Sequence, residues 1–273
     1  MIGQALFQGK SIYEHYRTKW VGIDRLTGQS LYEMNPSSPD YIAYKDDNTP
    51  YFDEAKWQKD LADAERTGHL YEKDGVYYTD RPQYARRQIL GSALPTVYGS
   101  FGTNLSWKGL NLSLLFTYSL GGKTYNSNYA SLMNGISSDS PQALHKDILN
   151  SWTSAPAGIT REINANGLPV PVIDPDGVPV INSDLQQYNN YSSSRWLISS
   201  NYLSLKNINL SYDLPSSWVG AMKLQNINLG VSIDNLFLVT RQKGLNPQYG
   251  FGGGQEAYYM PSRVFSFQLS AKF

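Results

Sequence analysis

The chain has 273 residues, with 23 Lys and Arg, 23 Asp and Glu, and hence a formal net charge of zero. A neutral chain has no basic surplus to release phosphate counterions, so we expect no nucleic-acid partner. The chain has no cysteine, which excludes disulfides, thiol nucleophiles and thiolate metal sites. It is rich in aromatic residues, with 21 Tyr, 9 Phe and 6 Trp.

The N-terminal part of the chain is highly charged, because residues 1–90 hold 26 of the charged side chains. Residues 11–21 form a weak strand candidate. Residues 50–66 are predicted to form a helix, in which Thr49 is the cap and Pro50 the first residue. This part of the chain therefore indicates one strand followed by a long charged loop.

Later segments alternate apolar and polar residues with the period of two that is typical of strands. They are residues 97–107, 110–120, 202–213, 225–237 and 265–273. Their length, about 10–13 residues, exceeds the usual soluble strand and suits a tilted strand that crosses a bilayer. One face is aliphatic and aromatic, whereas the other carries Asn, Ser, Gly and Thr. This pattern favours a membrane barrel with a polar lumen over a dry core. A phase change predicts a bulge near Asn207.

The connections between these segments alternate in length. Lys108-Gly109 is a tight turn and 214–222 a short one, whereas 121–200 and 239–262 are long. Short turns on one side and long loops on the other are typical of a transmembrane barrel. A soluble β-sandwich remains the alternative. Residues 1–96 are thus interpreted as a barrel strand followed by a long charged extracellular loop, and residues 97–273 as C-terminal barrel strands. The long loops are predicted to carry short helices, one of them over 141–152.

Residues that could perform catalysis or bind a metal form no recognisable group. His15, His69 and His145 lie far apart in the sequence, match no catalytic motif and are expected at the surface. Residues 174–177, DPDG, could offer oxygen ligands to calcium but are also an ordinary turn sequence. We predict no catalytic residue, metal or cofactor, and no enzyme. An extracellular hydrolase remains a third hypothesis, because paired carboxylates can come from anywhere in the chain.

Aromatic side chains in the long connections are the main sign of a binding function. Exposed aromatic faces can stack on sugars or grip peptides, but they also pack loops together. The candidates for contact with a substrate or a covering protein are Trp152, Tyr188, Tyr191, Trp196, Tyr249 and Tyr258.

A series of motifs runs through nearly the whole chain in the order of one known family. The motifs lie at 9–24, 90–104, 107–113, 118–123, 202–212 (YLSLKNINLSY), 234–248 and 258–263 (YYMPSR). Together they resemble the C-terminal part of SusC/RagA-like TonB-dependent outer-membrane transporters. Ser204 stands where that family commonly has Arg.

The resemblance implies an all-β fold: about six antiparallel strands from the C-terminal part of a transmembrane β-barrel with long extracellular loops. The intact family would have a barrel of about 22 strands with a plug. It imports nutrients such as oligosaccharides or peptides across the outer membrane of Gram-negative bacteria. The implied partners are a SusD-like surface lipoprotein, the TonB complex (through an N-terminal part not in this chain) and outer-membrane lipid. We therefore expect the chain to be a fragment of such a transporter.

The end of the chain has its own significance under this resemblance. Phe265, Phe267, Leu269 and Phe273 alternate with polar residues and are similar to the terminal strand that the barrel-assembly machinery recognises. The hypothesis from a different functional class is a secreted, soluble, β-rich glycan-binding module. It requires the apolar faces of the strands to be buried in a sandwich.

Overall fold

The structure is a computed structural model that describes residues 9–134, 143–221, 223–241, 246–249 and 261–273. Its strands are β1 (Glu14–Arg17), β2 (Trp20–Asp24), β3 (Ser30–Met34), β4 (Ile42–Tyr44), β5 (Pro50–Phe52), β6 (Leu70–Lys73), β7 (Val76–Thr79), β8 (Gln88–Ser92), β9 (Val97–Trp107), β10 (Leu110–Leu120), β11 (Lys123–Tyr125), β12 (Ile173–Asp174), β13 (Leu197–Ser199), β14 (Tyr202–Asp213), β15 (Asn226–Thr240) and β16 (Val264–Lys272). Its α-helices are α1 (Glu54–Arg66), α2 (Ser127–Leu132), α3 (Gln186–Asn189) and α4 (Ser216–Ala221). Short 3-10 helices span Pro39–Tyr41, Lys146–Asn150, Ser194–Trp196 and Pro247–Tyr249. Within the described residues, no helix is long and apolar enough to cross a membrane.

The chain divides into two compact units. The first, which we call the loop unit, consists of Met1–Ser92 and Tyr125–Leu197. The second, which we call the strand unit, consists of Ala93–Thr124 and Ile198–Phe273. This division differs from the expected boundary at 96/97, because most of the long connection after β10 folds with the N-terminal third of the chain.

The strand unit contains an antiparallel sheet in the order β16-β15-β14-β10-β9. Its five strands correspond to the five alternating segments and are 9 to 15 residues long. On β14 the register shifts between Leu205 and Asn207 against both neighbouring strands, so Lys206 lies in a bulge. The predicted change of phase is therefore confirmed as a bulge that returns the apolar residues to one face.

The strand connections are short at one end of this sheet. Lys108 and Gly109 have φ values of 47° and 84° and join β9 to β10 directly. Residues 214–225 join β14 to β15 and contain α4. At the other end, the connections from β10 to β14 and from β15 to β16 are long. The alternation of short and long connections agrees with the sequence prediction.

The candidate strand 11–21 is not part of this sheet. The structure divides it between β1, which pairs with β8, and β2, which pairs with β3. The segment has no continuous apolar face, and Arg17 is buried with its guanidinium 3.7 Å from the centroid of the Tyr125 ring. Short polar pairings in the loop unit therefore replace the long barrel strand that the sequence suggested.

The loop unit has its own five-stranded sheet, in the order β12-β2-β3-β7-β6. Asp74 and Gly75, with φ values of 53° and 78°, form the tight turn of its β6–β7 hairpin. The core that packs against this sheet is largely aromatic and aliphatic, and its buried members include Tyr32, Met34, Tyr41, Trp57 and Leu70.

Helix α1 begins later than the sequence predicted. The Asp53 carboxylate accepts a hydrogen bond from the Lys56 N–H at 3.1 Å and caps the helix at Glu54. Residues Pro50–Phe52 form β5, which pairs with β4. The predicted start at Thr49 and Pro50 is wrong, because a stronger capping side chain, Asp53, lies four residues after Thr49.

Candidate functional site

One face of the five-stranded sheet in the strand unit is apolar from edge to edge. The register places one residue from each strand in a single row, which runs Leu105, Leu112, Leu210, Val231 and Phe267. Leu105 is 58% exposed and Phe267 84% exposed. An exposed apolar surface that spans a whole sheet indicates contact with lipid or with another apolar surface.

The opposite face is polar in the same continuous way. The neighbouring row runs Asn104, Ser113, Asn209, Ser232 and Ser266, again with one residue from each strand. Because adjacent residues on a strand point to opposite faces, the two rows form the two surfaces of one wall. A water-filled lumen on one side and lipid on the other would suit these surfaces.

Side chains on the polar face are joined by hydrogen bonds near the short turns. The Asp213 carboxylate accepts from Asn228 Nδ2 at 2.8 Å and from Asn111 Nδ2 at 3.3 Å. Ser106 Oγ donates to Asn111 Oδ1 at 2.6 Å. These bonds link side chains from four strands across the wall.

A second polar group lies at the bulge. Asn207 Nδ2 donates to Asp234 Oδ1 at 2.8 Å and to Ser232 Oγ at 3.3 Å. Such a surface can remain hydrated or bind a polar solute, whereas a dry core would have to satisfy all of its polar atoms internally.

The secreted-module hypothesis required a buried apolar face. In the described residues this face is open along β9 and β16, where Phe101, Leu105, Phe265 and Leu269 are all more than half exposed. A sandwich would cover these side chains with a second sheet at about 10 Å. The dry sandwich is therefore not the architecture of this sheet.

Two candidate aromatic residues pack inside the loop unit. Trp196 is 1% exposed, and its indole N–H donates to the Tyr191 carbonyl at 3.1 Å. Trp152 donates through its indole N–H to the Arg25 carbonyl at 2.7 Å and covers Gly28. In this structure both indoles stabilise loops, and Trp196 has no surface to offer a ligand.

We predict that Gly28→Ala destabilises the loop unit, because a Cβ there would lie 2.5 Å from the Trp152 ring. The positive φ of 70° costs about 1–2 kcal/mol for Ala, and the overlap adds about 1–3 kcal/mol. Gly68→Ala is the matched control, since Gly68 has a φ of 74° and open space around it. Urea unfolding of both variants measures the difference, and equal losses of stability would show that Trp152 does not pack firmly on Gly28.

Tyr188 and Tyr191 lie near each other around Tyr32. The Tyr188 ring faces the Arg81 guanidinium at 4.2 Å, and the Tyr188 carbonyl accepts a hydrogen bond from the Tyr32 hydroxyl. Tyr191 is 39% exposed and meets the Tyr32 ring edge-on at 6.2 Å. Tyr191 therefore offers part of its ring to a ligand. Tyr249 lies in the 3-10 helix Pro247–Tyr249, and Tyr258 lies outside the described residues.

The terminal residues singled out from the sequence lie on or just beyond β16. Phe265, Phe267 and Leu269 belong to the apolar face, because they pair with Ile233, Val231 and Leu229 of β15. Phe273 follows the strand and is 86% exposed. The strand has the alternating pattern that a terminal assembly signal would need.

The candidates for chemistry are not grouped in a way that suggests catalysis. Among the described residues there is no cluster of three or more side chains able to hold a metal ion. Asp174 Oδ1 accepts from the Asp176 N–H at 3.2 Å, as in an ordinary Asx turn. His15 is 1% exposed, so its predicted place at the surface is wrong. His69 Nδ1 lies 2.8 Å from the buried carboxylate of Asp80, whose pKa is raised by burial.

A cationic residue that the sequence analysis did not single out lies among these aromatic side chains. The Arg195 guanidinium is 4.3 Å from the centroid of the Trp196 ring and 5.5 Å from that of Trp20. Burial lowers the pKa of Arg195 to about 10. A signal was available, since Arg195 is the one charged residue between 185 and 205.

Comparison with curated proteins finds related sequences. The chain is 26% identical over 200 residues to TonB-dependent receptor P3 of Formosa agariphila, a match that covers 69% of this chain and 17% of the receptor. The chain is similar to TonB-dependent receptors. TonB-dependent receptor P39 of the same organism is 25% identical over 173 residues, covering 61% of this chain and 14% of that receptor. No protein-family model matches the chain.

Solved structures identify the fold. The RagAB peptide importer in its closed-closed state matches with a TM-score of 0.57 and 20% identity, covering 100% of this chain and 25% of that chain. A RagAB peptide transporter structure matches with the same TM-score, 22% identity and coverage of 95% and 23%. The predicted similarity to TonB-dependent transporters and the predicted architecture, part of their β-barrel fold, are confirmed. The chain spans 14–17% of the length of the curated relatives it matches.

Proposed function

We propose that this chain forms part of the wall and outer loops of a TonB-dependent transporter that imports nutrients across the outer membrane of a Gram-negative bacterium. The observation that carries the proposal is the two-faced sheet, in which an exposed apolar surface and a hydrogen-bonded polar surface lie back to back. The curated relatives, which are TonB-dependent receptors, support the same role. The function is binding and gated passage, without covalent chemistry.

The imported solutes are oligosaccharides or peptides. RagAB, whose fold is similar, is a peptide importer. The outer loops, residues 24–96, 121–200 and 239–262, face the cell exterior and contact the solute or a covering SusD-like lipoprotein. The TonB complex acts through a part of the transporter outside this chain. Within the loops Tyr191 is the candidate aromatic contact with an exposed ring, and Phe265, Phe267, Leu269 and Phe273 form the strand that directs barrel assembly.

Single-cysteine labelling tests the two-faced wall, because the chain has no cysteine of its own. We expect Ser232→Cys, on the polar face, to react in lipid vesicles with a charged, water-soluble maleimide. Val231→Cys, its neighbour on the apolar face, should react with that reagent only after unfolding in detergent and urea. Since the two positions are adjacent on β15, differences in local chain mobility are small.

A hydrophobic maleimide that partitions into the bilayer is the control for thiol reactivity. It should label Val231→Cys in intact vesicles. Equal labelling of both variants by the charged reagent would contradict a lipid-facing surface and with it the proposed function.

A further inference from the structure

A small cavity inside the loop unit has one charged residue in its wall. Its volume is about 20 Å³, and Arg195, Asn190, Gln186 and Ser151 form its polar side. Met133 and Val178 are among the apolar residues on the other side. The exposed residues Ile181 and Asn182 also line the cavity, so it reaches the surface there.

Arg195 has no carboxylate partner within the described part of the chain. None of the ion pairs formed there includes it. Its hydrogen bonds in that part of the chain both leave from Nη1, at 3.0 Å to Asn190 Oδ1 and 3.3 Å to the Asn189 carbonyl. Two indole rings flank the guanidinium in cation–π contacts, which leave its charge without a counter-ion. The residue is partly buried, so it attracts a carboxylate more strongly than a cation fully in water does.

The geometry points to a carboxylate-binding site, in which Arg195 holds the head group of an anionic solute inside this cavity. Carboxylate and guanidinium are both planar and form paired hydrogen bonds. Asn190 and Gln186 place amide side chains in the same wall of the cavity, and the Trp20 and Trp196 rings lie against the guanidinium.

The size of the cavity limits the ligand. A volume of about 20 Å³ holds one or two water-sized groups, which suits the two oxygens of a carboxylate. The rest of the ligand must therefore remain at the mouth, near Ile181 and Asn182. Two classes of solute present such a group: peptides, through an acidic side chain or C-terminus, and sugars that contain uronic acid.

Use of this site to capture an imported solute rests on the proposed function, but binding of the carboxylate does not. The first measurement is calorimetric titration of the full protein in detergent with acetate, with uncharged acetamide as the parallel probe. We expect saturable binding of acetate and none of acetamide. Two further comparisons distinguish peptides from acidic sugars as the ligand. One titrates a tripeptide with a free C-terminus and its C-terminal amide, and the other titrates galacturonate and galactose.

Asn190→Asp is the decisive variant, because it places a carboxylate of the same shape beside Arg195 Nη1. The hydrogen bonds that Asn190 Nδ2 donates are long, at 3.5 Å, so their removal disturbs the structure little. We expect acetate to bind at least about tenfold more weakly and the urea midpoint to rise, since the internal anion replaces the ligand. Asn209→Asp is the matched control: it makes the same charge change at an exposed residue of the strand unit, whereas all the residues that line the cavity belong to the loop unit.

The results separate the alternatives. Acetate binding that Asn190→Asp weakens at least about tenfold and Asn209→Asp preserves supports the site. The peptide or the uronic acid, whichever then binds better than its uncharged counterpart, identifies the class of solute. Absence of acetate binding to the unmodified protein, or equal binding to Asn190→Asp, would overturn it. Because folding of both variants follows from the urea curves and cysteine labelling tests the barrel wall separately, a failure here leaves the proposed function intact.

Discussion

In lipid vesicles, Phe267→Arg is expected to lower the free energy of unfolding by about 2–4 kcal/mol, the cost of a cation on the lipid face near the middle of a membrane barrel. Phe267 lies in the middle of β16, paired with Val231 in the apolar row. Gln268→Arg, one residue later on the polar face, should change the stability by no more than about 0.5 kcal/mol. The same charge on the same strand thus has an effect that depends on the face alone.

Urea unfolding from vesicles, followed by tryptophan fluorescence, measures both variants. The comparison also distinguishes a barrel wall from a soluble sheet. Phe267 is 84% exposed in the chain, so in water its replacement by Arg would be almost without cost. Equal stabilities of the two variants in lipid would therefore argue that this face does not contact the bilayer.

The strand unit could be predicted from the sequence because its strands follow a local rule. Lipid on one side and water on the other impose a period of two over the whole length of each strand, and this pattern is visible without any partner strand. The bulge at Lys206 was visible for the same reason, since the apolar residues changed phase between Leu205 and Ile208. Motifs that run in family order added the architecture.

The loop unit could not be predicted in this way. Its sheet is made of strands of two to five residues, which are too short to show a period. In addition, β12 pairs with β2, although the two strands are far apart in the sequence. One of its hairpins was nevertheless open to prediction. Asp74-Gly75 separates two short runs of strand-forming residues, one that contains Tyr71 and one that contains Tyr77. An Asp-Gly pair in this position is typical of a tight hairpin turn.

The candidate site residues were predicted with mixed outcomes, for a physical reason. Aromatic residues in loops serve both as ligands' contacts and as the packing that holds long loops together, and composition does not separate the two. Trp196 packs inside and Tyr191 keeps an exposed ring, although both lie in the same short segment. The sequence did not point to Arg195, because its proposed role depends on two features of the fold. The residue is partly buried between two indole rings, and no carboxylate in the described residues pairs with it.

The largest effect within the loop unit is expected from Arg161→Met. Asp24 is fully buried, and the Arg161 guanidinium spans both of its carboxylate oxygens, with Nη1 3.2 Å from Oδ1. Thr27 Oγ1 and the N–H groups of Val172 and Leu26 also donate to this carboxylate, at 3.2, 3.3 and 3.4 Å. Removing the arginine leaves a buried charge without its cation, which costs about 3–5 kcal/mol. Urea unfolding of the loop unit within the intact protein measures the loss.

Two comparisons make this prediction specific to the buried charge. Adding Asp24→Asn to Arg161→Met removes the unpaired anion, so the double variant should be more stable than Arg161→Met alone. Arg66→Met breaks an ion pair with Asp63 that lies at the surface, where Arg66 is 73% exposed, and should cost at most about 0.5 kcal/mol. If Arg161→Met lowered the free energy of unfolding no more than Arg66→Met does, the Asp24 carboxylate would have to be hydrated. The connection after β10 would then not be held to the N-terminal third by this ion pair, which joins residues 137 positions apart.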